Sequence, residues 1–280
     1  MKQAPSFNGR SPSWLERAGA QLRRAPVSPG LRRSLRRWFH SLLMWKSGGR
    51  GLVCALPGAE QVRVLPEFRY LAWNLDEYAA FRAAARPGMT ALDIGANVGA
   101  YSLLLGQWVG PDGRVCAFEP APASFAALRR HLELNRLEGI VTALPMAVCD
   151  RVGDVTMLAQ TSSGANRLAT AGDPSADGVT VTATTIDAFC AERKLTPQFI
   201  KIDVEGFELA VLRGARATLE RCRDDLSLFV EFHPAAWASL GLPKADLLAE
   251  LARLRLRVEP LAPGADPWAV EGVCARLVPG

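Results

Sequence analysis

The run Ala91-Leu92-Asp93-Ile94-Gly95-Ala96-Asn97-Val98-Gly99-Ala100-Tyr101-Ser102 constrains this chain more than any other stretch. It reads as a buried strand with an acid near its end, a glycine turn, and the first turn of a helix. Such a piece puts free backbone N–H groups and a carboxylate at the carboxyl edge of a parallel sheet, where open α/β proteins bind nucleotide-like ligands. Further on, Arg114-Val115-Cys116-Ala117-Phe118-Glu119-Pro120 is a second strand ending in an acid. A carboxylate there can hold the two hydroxyls of a ribose, so the pair predicts a nucleoside cofactor.

The turn itself narrows the choice. A dinucleotide fingerprint needs G-x-G-x-x-G, but counting from Gly95 the later glycine positions hold Asn97 and Ala100. No phosphate-cradling G-x-x-x-x-G-K-[ST] motif occurs. An acid beside the turn repels a pyrophosphate and suits a cofactor with a cationic amino-acid tail and a sulfonium. S-adenosylmethionine has that charge pattern.

The 280 residues can hold one sizeable core with an appendage. Hydrophobic residues at 49% and charged residues at 22% fit a soluble globular chain, and no apolar run is long enough to span a bilayer. No secretory signal is legible at the N-terminus. Cys54, Cys116, Cys149, Cys190, Cys222 and Cys274 are scattered, with no CxxC pair, which disfavours zinc or a disulfide framework and predicts a cytoplasmic protein. The net charge of +5 is uneven. Residues 1–50 carry nine Arg and two Lys against Glu16 alone, whereas the rest of the chain is net acidic.

Three regions follow. Residues 1–50 form a basic arm in which Leu31, Leu35, Trp38, Phe39 and Leu42 recur at helical spacing, with Arg32, Arg33, Arg36 and Arg37 on the other face. This short amphipathic helix over 31–45 can lie on an anionic membrane surface or pack onto its own domain. Residues 51–87 read as leader strands and a helix, and residues 88–280 as the main domain. There Met89–Ile94, Val115–Phe118, Ile140–Val148, Phe199–Asp203 and Leu226–Phe232 read as strands, with Gly272–Val278 closing. Helices are expected over Ala100–Trp108, Pro122–Asn135, Phe207–Glu220 and Lys244–Arg255. This alternation predicts an α/β fold with a doubly wound, mostly parallel sheet.

Five motifs in this order are recognisable: Asp93-Ile94-Gly95-Ala96-Asn97-Val98-Gly99, Phe118-Glu119-Pro120, Ala147-Val148-Cys149-Asp150, the run Ile200–Glu208, and Glu231-Phe232-His233-Pro234. Together, over about residues 73–237, they resemble the FkbM family of S-adenosylmethionine-dependent methyltransferases. The resemblance implies the class I, Rossmann-like methyltransferase fold, with seven strands and a last antiparallel one. It also implies O-methylation of a small metabolite or saccharide.

Asp93, Gly95, Ala96, Asn97, Gly99, Glu119, Asp150 and Asp203 are read as the cofactor-binding set. Glycines and Ala96 allow close backbone approach, Asp93 or Asn97 meets the ammonium group, Glu119 takes the ribose, and Asp150 matches the position facing adenine. A hydroxyl acceptor calls for a general base, and His233 is the first candidate, then Asp203, with Glu231 at the same strand edge. Asn166 and Arg167, in the polar loop Thr161–Gly178, and Glu205 are assigned to the acceptor. Asp203, Glu205 and Glu231 can also hold a divalent cation, though their spacing does not demand one and no metal ligand is assigned. The rivals are an RNA methyltransferase steered by the arginine arm, disfavoured by the acidic main domain, and a cofactor-binding module without turnover.

Overall fold

The computed structural model describes residues 6–7, 28–58, 60–159, 166–168 and 178–280. A seven-stranded sheet organises them: β1 Thr90–Ile94, β2 Arg114–Phe118, β3 Val141–Leu144, β4 Phe199–Ile202, β5 Ser227–Phe232, β6 Leu256–Pro260 and β7 Val273–Pro279. Their order across the sheet is 3-2-1-4-5-7-6. The first five run parallel, and β7 pairs antiparallel with both β5 and β6. This is the α/β class I methyltransferase arrangement. The strand order reverses beside β1, and the crevice in which such sheets bind ligands lies outside the carboxyl ends of the strands at that point.

Both faces of the sheet are covered, which is why the strands are nearly continuous apolar runs. Alternate residues go to opposite faces, so Phe199 and Phe229 pack in one core while Ile200, Ile202, Leu228 and Val230 pack in the other. Phe81, from the helix Leu75–Ala84, sits in the first core with its ring 4.8 Å from Phe229 and 4.9 Å from Tyr101. Asn74 caps that helix by accepting the N–H groups of Asp76 and Glu77. The leader therefore fills one face of the sheet.

Several local expectations change. The predicted strand 140–148 divides: Val141–Leu144 belongs to the main sheet, and Ala147–Val148 joins a four-stranded side sheet with Gly153–Ala159, Asn166–Leu168 and Gly178–Thr184. Pro145 lies at the division, where a residue without an N–H cannot continue the ladder. The predicted helix 207–220 breaks into Glu208–Arg213 and Arg216–Cys222, the second receiving a cap from Asp187, which accepts the N–H groups of Ala217 and Thr218. β6 is an addition, although Leu256-Arg257-Val258-Glu259 alternates as a half-buried strand does; the preceding helix, expected to run to Arg255, ends at Arg253. The leader segment 52–70 resolves into the hairpin Leu52–Ala55 and Gln61–Val64. All six cysteines are free and buried, and no described helix is long and apolar enough to cross a membrane.

Candidate active site

The site is assembled at the carboxyl tips of β1, β2, β4 and β5. After Ile94 the chain turns through Gly95, at φ +79°, and the N–H groups of Gly95 and Ala96 both donate to the Phe118 carbonyl. A methyl group on Gly95 would overlap the Asp203 carbonyl oxygen, so the glycine lets the β1 and β4 loops touch. Asn97 follows at φ +49°, and its N–H donates to Glu119 Oε2 at 2.8 Å. Glu119 Oε1 accepts the Ala121 N–H, also at 2.8 Å. Burial pushes the Glu119 carboxyl up, and these two N–H bonds pull it back. Gly99, at φ +89°, starts the helix Ala100–Val109, and a methyl group there would lie 2.6 Å from Leu128.

A buried lysine ties the β1 and β4 tips together. Lys201 Nζ lies 3.1 Å from Asp203 Oδ2 and 3.8 Å from Asp93 Oδ1. Burial alone would favour neutral lysine, but the two aspartates more than offset it and hold the ammonium. Asp93 also accepts from Ser102 Oγ at 2.5 Å, and its Oδ1 is buried without a hydrogen-bond partner. Burial raises its carboxyl, against the pull of Lys201.

The third part is built around His233. The ring is 3% exposed, and Nδ1 lies 2.7 Å from Glu208 Oε1. Glu208 is fully buried and also accepts from Trp237 Nε1 at 2.6 Å and from the Gly206 N–H at 2.9 Å. On the other side, Nε2 faces Glu231 at 3.6 Å, Glu205 at 3.7 Å and Asp203 at 3.8 Å. Burial alone would lower the His233 pKa, but hydrogen bonds with Glu208 and Glu231 and the charge of Asp203 push it up to about 11. Burial, with the nearby Asp203 charge, drives the Glu231 carboxyl upward. Burial also raises Glu205, against the pull of His233.

This geometry bears on the base role expected of His233, because the surrounding acids favour its cation. An imidazole held as its cation across neutral pH cannot take a proton from an acceptor. Glu208, expected either to complement a helix start or to bind Lys201 or Arg213, does stand in the first turn of Glu208–Arg213, while Lys201 pairs with Asp203 and Asp93, and Arg213 with Asp246 and Glu250. His131, expected to lie away from the motifs, braces the glycine turn: Nδ1 bonds the Val98 carbonyl at 2.7 Å, and Nε2 accepts the Leu65 N–H.

Other sequence-predicted residues take their places as follows. Asp150 is exposed in a bend after Val148, and among the described residues no hydrogen bond or ion pair joins it to the cluster. Asn166 and Arg167 lie in a short strand antiparallel to Gly153–Ala159, where a loop was expected. Their side chains, and most of the loop 161–178, lie outside the described residues. Trp73 is buried, with its indole N–H on the Ala100 carbonyl, and Trp237 is buried against Glu208. The sequence reading gives Lys201 and Ser102 no place in the site and does not foresee that Glu208 fixes His233. The signal available for Lys201 was a charge inside the apolar run Phe199–Ile202, which must be paired if buried.

The sequence pattern described as the Methyltransferase FkbM domain matches residues 93–254. A 31-O-demethyl-FK506 methyltransferase, FkbM, of Streptomyces tacrolimicus is 43% identical over 68 residues, 24% of this chain and 25% of that protein. The hexuronic acid methyltransferase AglP of Haloferax volcanii is 25% identical over 170 residues, covering 60% of this chain and 63% of that one. The chain thus spans less than two thirds of the length of these relatives. The crystal structure of a methyltransferase FkbM from Methylobacillus flagellatus superposes with a TM-score of 0.44 at 19% identity, over 76% of this chain and 52% of that one. Since the matched pattern takes in all four strand tips that build the site and more than half of the sequence, this chain belongs to the FkbM methyltransferase family.

Proposed function

We propose that the protein transfers the methyl group of S-adenosylmethionine to a hydroxyl of a small metabolite or saccharide. The observation that carries this reading is the ring of acids, Asp93, Glu119, Asp203, Glu205 and Glu231, around a glycine turn at adjacent strand tips. The donor set fits that cofactor. The carboxylates suit a cationic ligand and oppose a pyrophosphate, and Asp93 Oδ1 is a buried acceptor still without a donor. The turn Gly95–Gly99 with Asp93 and Asn97 would hold the amino-acid part, and Glu119 the ribose. S-adenosylmethionine bound there supplies a methyl group on a positively charged sulfur.

The chain's own contribution is alignment and proton removal. Asp203 and Glu231 face the crevice beside the turn, and either carboxylate can take the hydroxyl proton at an oxygen. Glu231, whose carboxyl is raised toward the working pH, is better matched to that role than an ordinary carboxylate. His233, as a cation fixed by Glu208, keeps Asp203, Glu205 and Glu231 gathered on one point. The relatives' names supply the acceptor class: one is named for an oxygen of a macrolide, the other for a hexuronic acid.

One observation favours a second reading of the same point. Ligand atoms of Asp203, Glu231 and His233 lie within 4.8 Å of one another, so a divalent cation can replace the imidazole proton there and lower the pKa of an acceptor hydroxyl. The test is release of S-adenosylhomocysteine from the purified chain over a panel of uronic acids, neutral glycosides and macrolides. It is run after chelation and again with magnesium or manganese restored. Turnover on a hydroxylated acceptor supports methyl transfer, and turnover only with metal supports the second reading. No release with any acceptor, together with no calorimetric uptake of S-adenosylhomocysteine, overturns both.

A further inference from the structure

We propose that the helix Pro29–Lys46 docks this protein onto an anionic lipid surface. The inner edge of the helix is anchored to the domain. Leu43 is buried, Phe39 and His40 are half-buried, and the Arg69 guanidinium lies 5.6 Å from the Phe39 ring and 3.0 Å from His40 Nε2. The outer edge faces water. Leu31, Leu35, Trp38 and Trp45 are 51, 45, 63 and 74% exposed. With half-buried Leu42 they follow one another at steps of four, three, four and three residues, which puts all five on one stripe. Among the described residues, other exposed large apolar side chains such as Val53, Val152, Val179 and Leu248 are dispersed over separate elements, whereas the helix carries a contiguous patch.

Charge decides what covers it. Arg32, Arg33, Arg36 and Arg37 occupy the same two turns as Leu31, Leu35 and Trp38, and the helix contains no Asp or Glu. A second copy docking stripe to stripe would cover the leucines but leave both arginine sets without an anionic partner, because they lie on the other face and the helix offers no acid. A nucleic acid would satisfy the guanidinium groups but leave the leucines wet, since they lie on a different face from the arginines. A bilayer with anionic headgroups satisfies both. The stripe sinks into the boundary between headgroups and acyl chains, with tryptophan at the level it favours, while arginine stems lie along the apolar surface and their heads pair with lipid phosphates. The helix is seated on the glycine-turn side of the domain. It packs on Pro66–Phe68, the Phe68 ring meets His131 at 5.3 Å, and His131 bonds the Val98 carbonyl.

The test is sedimentation of the full chain with phosphatidylcholine vesicles, and with vesicles in which phosphatidylglycerol replaces part of that lipid. Partitioning onto the anionic vesicles at least about tenfold above the neutral ones, falling as salt is added, is the expected result. Combined Leu35→Ser, Trp38→Ser and Trp45→Ser changes should reduce it at least about tenfold with the thermal midpoint unchanged, because the replaced side chains face solvent. If the triple variant unfolds, Trp38→Ser alone makes the same comparison. Failure to sediment with either vesicle overturns the proposal, as does undiminished binding by a folded stripe variant. Light scattering that shows a dimer dissolved by the stripe changes assigns the patch to a second copy instead. Binding of single-stranded RNA without vesicle binding assigns the arginines to nucleic acid.

Discussion

His233 Nδ1 lies 2.7 Å from Oε1 of Glu208, a carboxylate with no exposure to water. The pair fixes where the second ring nitrogen points, and so where three acids converge. Glu208→Ala removes the shared acceptor of His233, Trp237 and the Gly206 N–H. Breaking a buried pair on one side costs about 3–5 kcal/mol, and urea unfolding should show a loss of that size. Glu208→Gln, which keeps an acceptor oxygen, should lose less.

His233 should carry its proton throughout the neutral range. Its folded pKa of about 11 stands above the ordinary 6.5, so the stabilisation from its charge is complete below pH 6.5 and declines as pH rises toward 11. Ring chemical shifts from NMR should stay those of the cation at pH 9. In His233→Gln, the part of the stability loss that this residue causes between pH 6.5 and 11 should vanish.

Glu119→Ala should weaken uptake of S-adenosylhomocysteine by about ten- to a hundredfold, the range for losing a charged hydrogen-bond partner, as read by titration calorimetry. The same change leaves the Asn97 and Ala121 N–H groups without their acceptor, so the thermal midpoint should fall as well.

Three glycines with positive φ separate backbone strain from crowding. Gly110→Ala, at φ +69° and ψ −173° with open space around it, should cost only the strain of a backbone region nearly reserved for glycine, about 1–3 kcal/mol. Gly99→Ala adds a contact with the tip of Leu128, a side chain that can shift. Gly95→Ala meets the Asp203 backbone and should cost most, with cofactor uptake lost. The largest fall in thermal midpoint at Gly95→Ala would bear this out, and equal losses at the three positions would refute it.

Phe81→Ala should destabilise the domain by about 3–5 kcal/mol in denaturant titration, as expected for a fully buried ring whose neighbours cannot collapse onto the gap. Those neighbours are Tyr101, Phe199 and Phe229, so the loss spans the leader helix and the sheet.

The parallel strands were legible because burial on both faces leaves continuous apolar runs, and their acids were legible because they stand at the ends of those runs. Glycine turns are local chemistry, and 95–99 was readable for that reason. The partners of these groups were not. Glu208 and His233 are 25 residues apart, and only the crossing from the β4 loop to the β5 tip brings them together. The protonation of His233 follows from those long-range contacts, so the residue type alone suggested a base where the fold makes a fixed cation. β6, by contrast, carried a local signal in the alternation Leu256-Arg257-Val258-Glu259, while its pairing with β7 is a contact the local pattern does not announce. The division after Leu144 was available from Pro145 but was outweighed by the apolar residues on either side.

Only a hydrogen atom separates the backbone of residue 95 from the Asp203 carbonyl. If the glycine turn holds the methyl donor and Asp203 faces the acceptor, as proposed, floor and ledge are one mechanical unit, and neither can be reshaped without displacing the other. New acceptors would have to be accommodated elsewhere on the rim, at the β5 tip or along the side sheet, while this joint stays as it is.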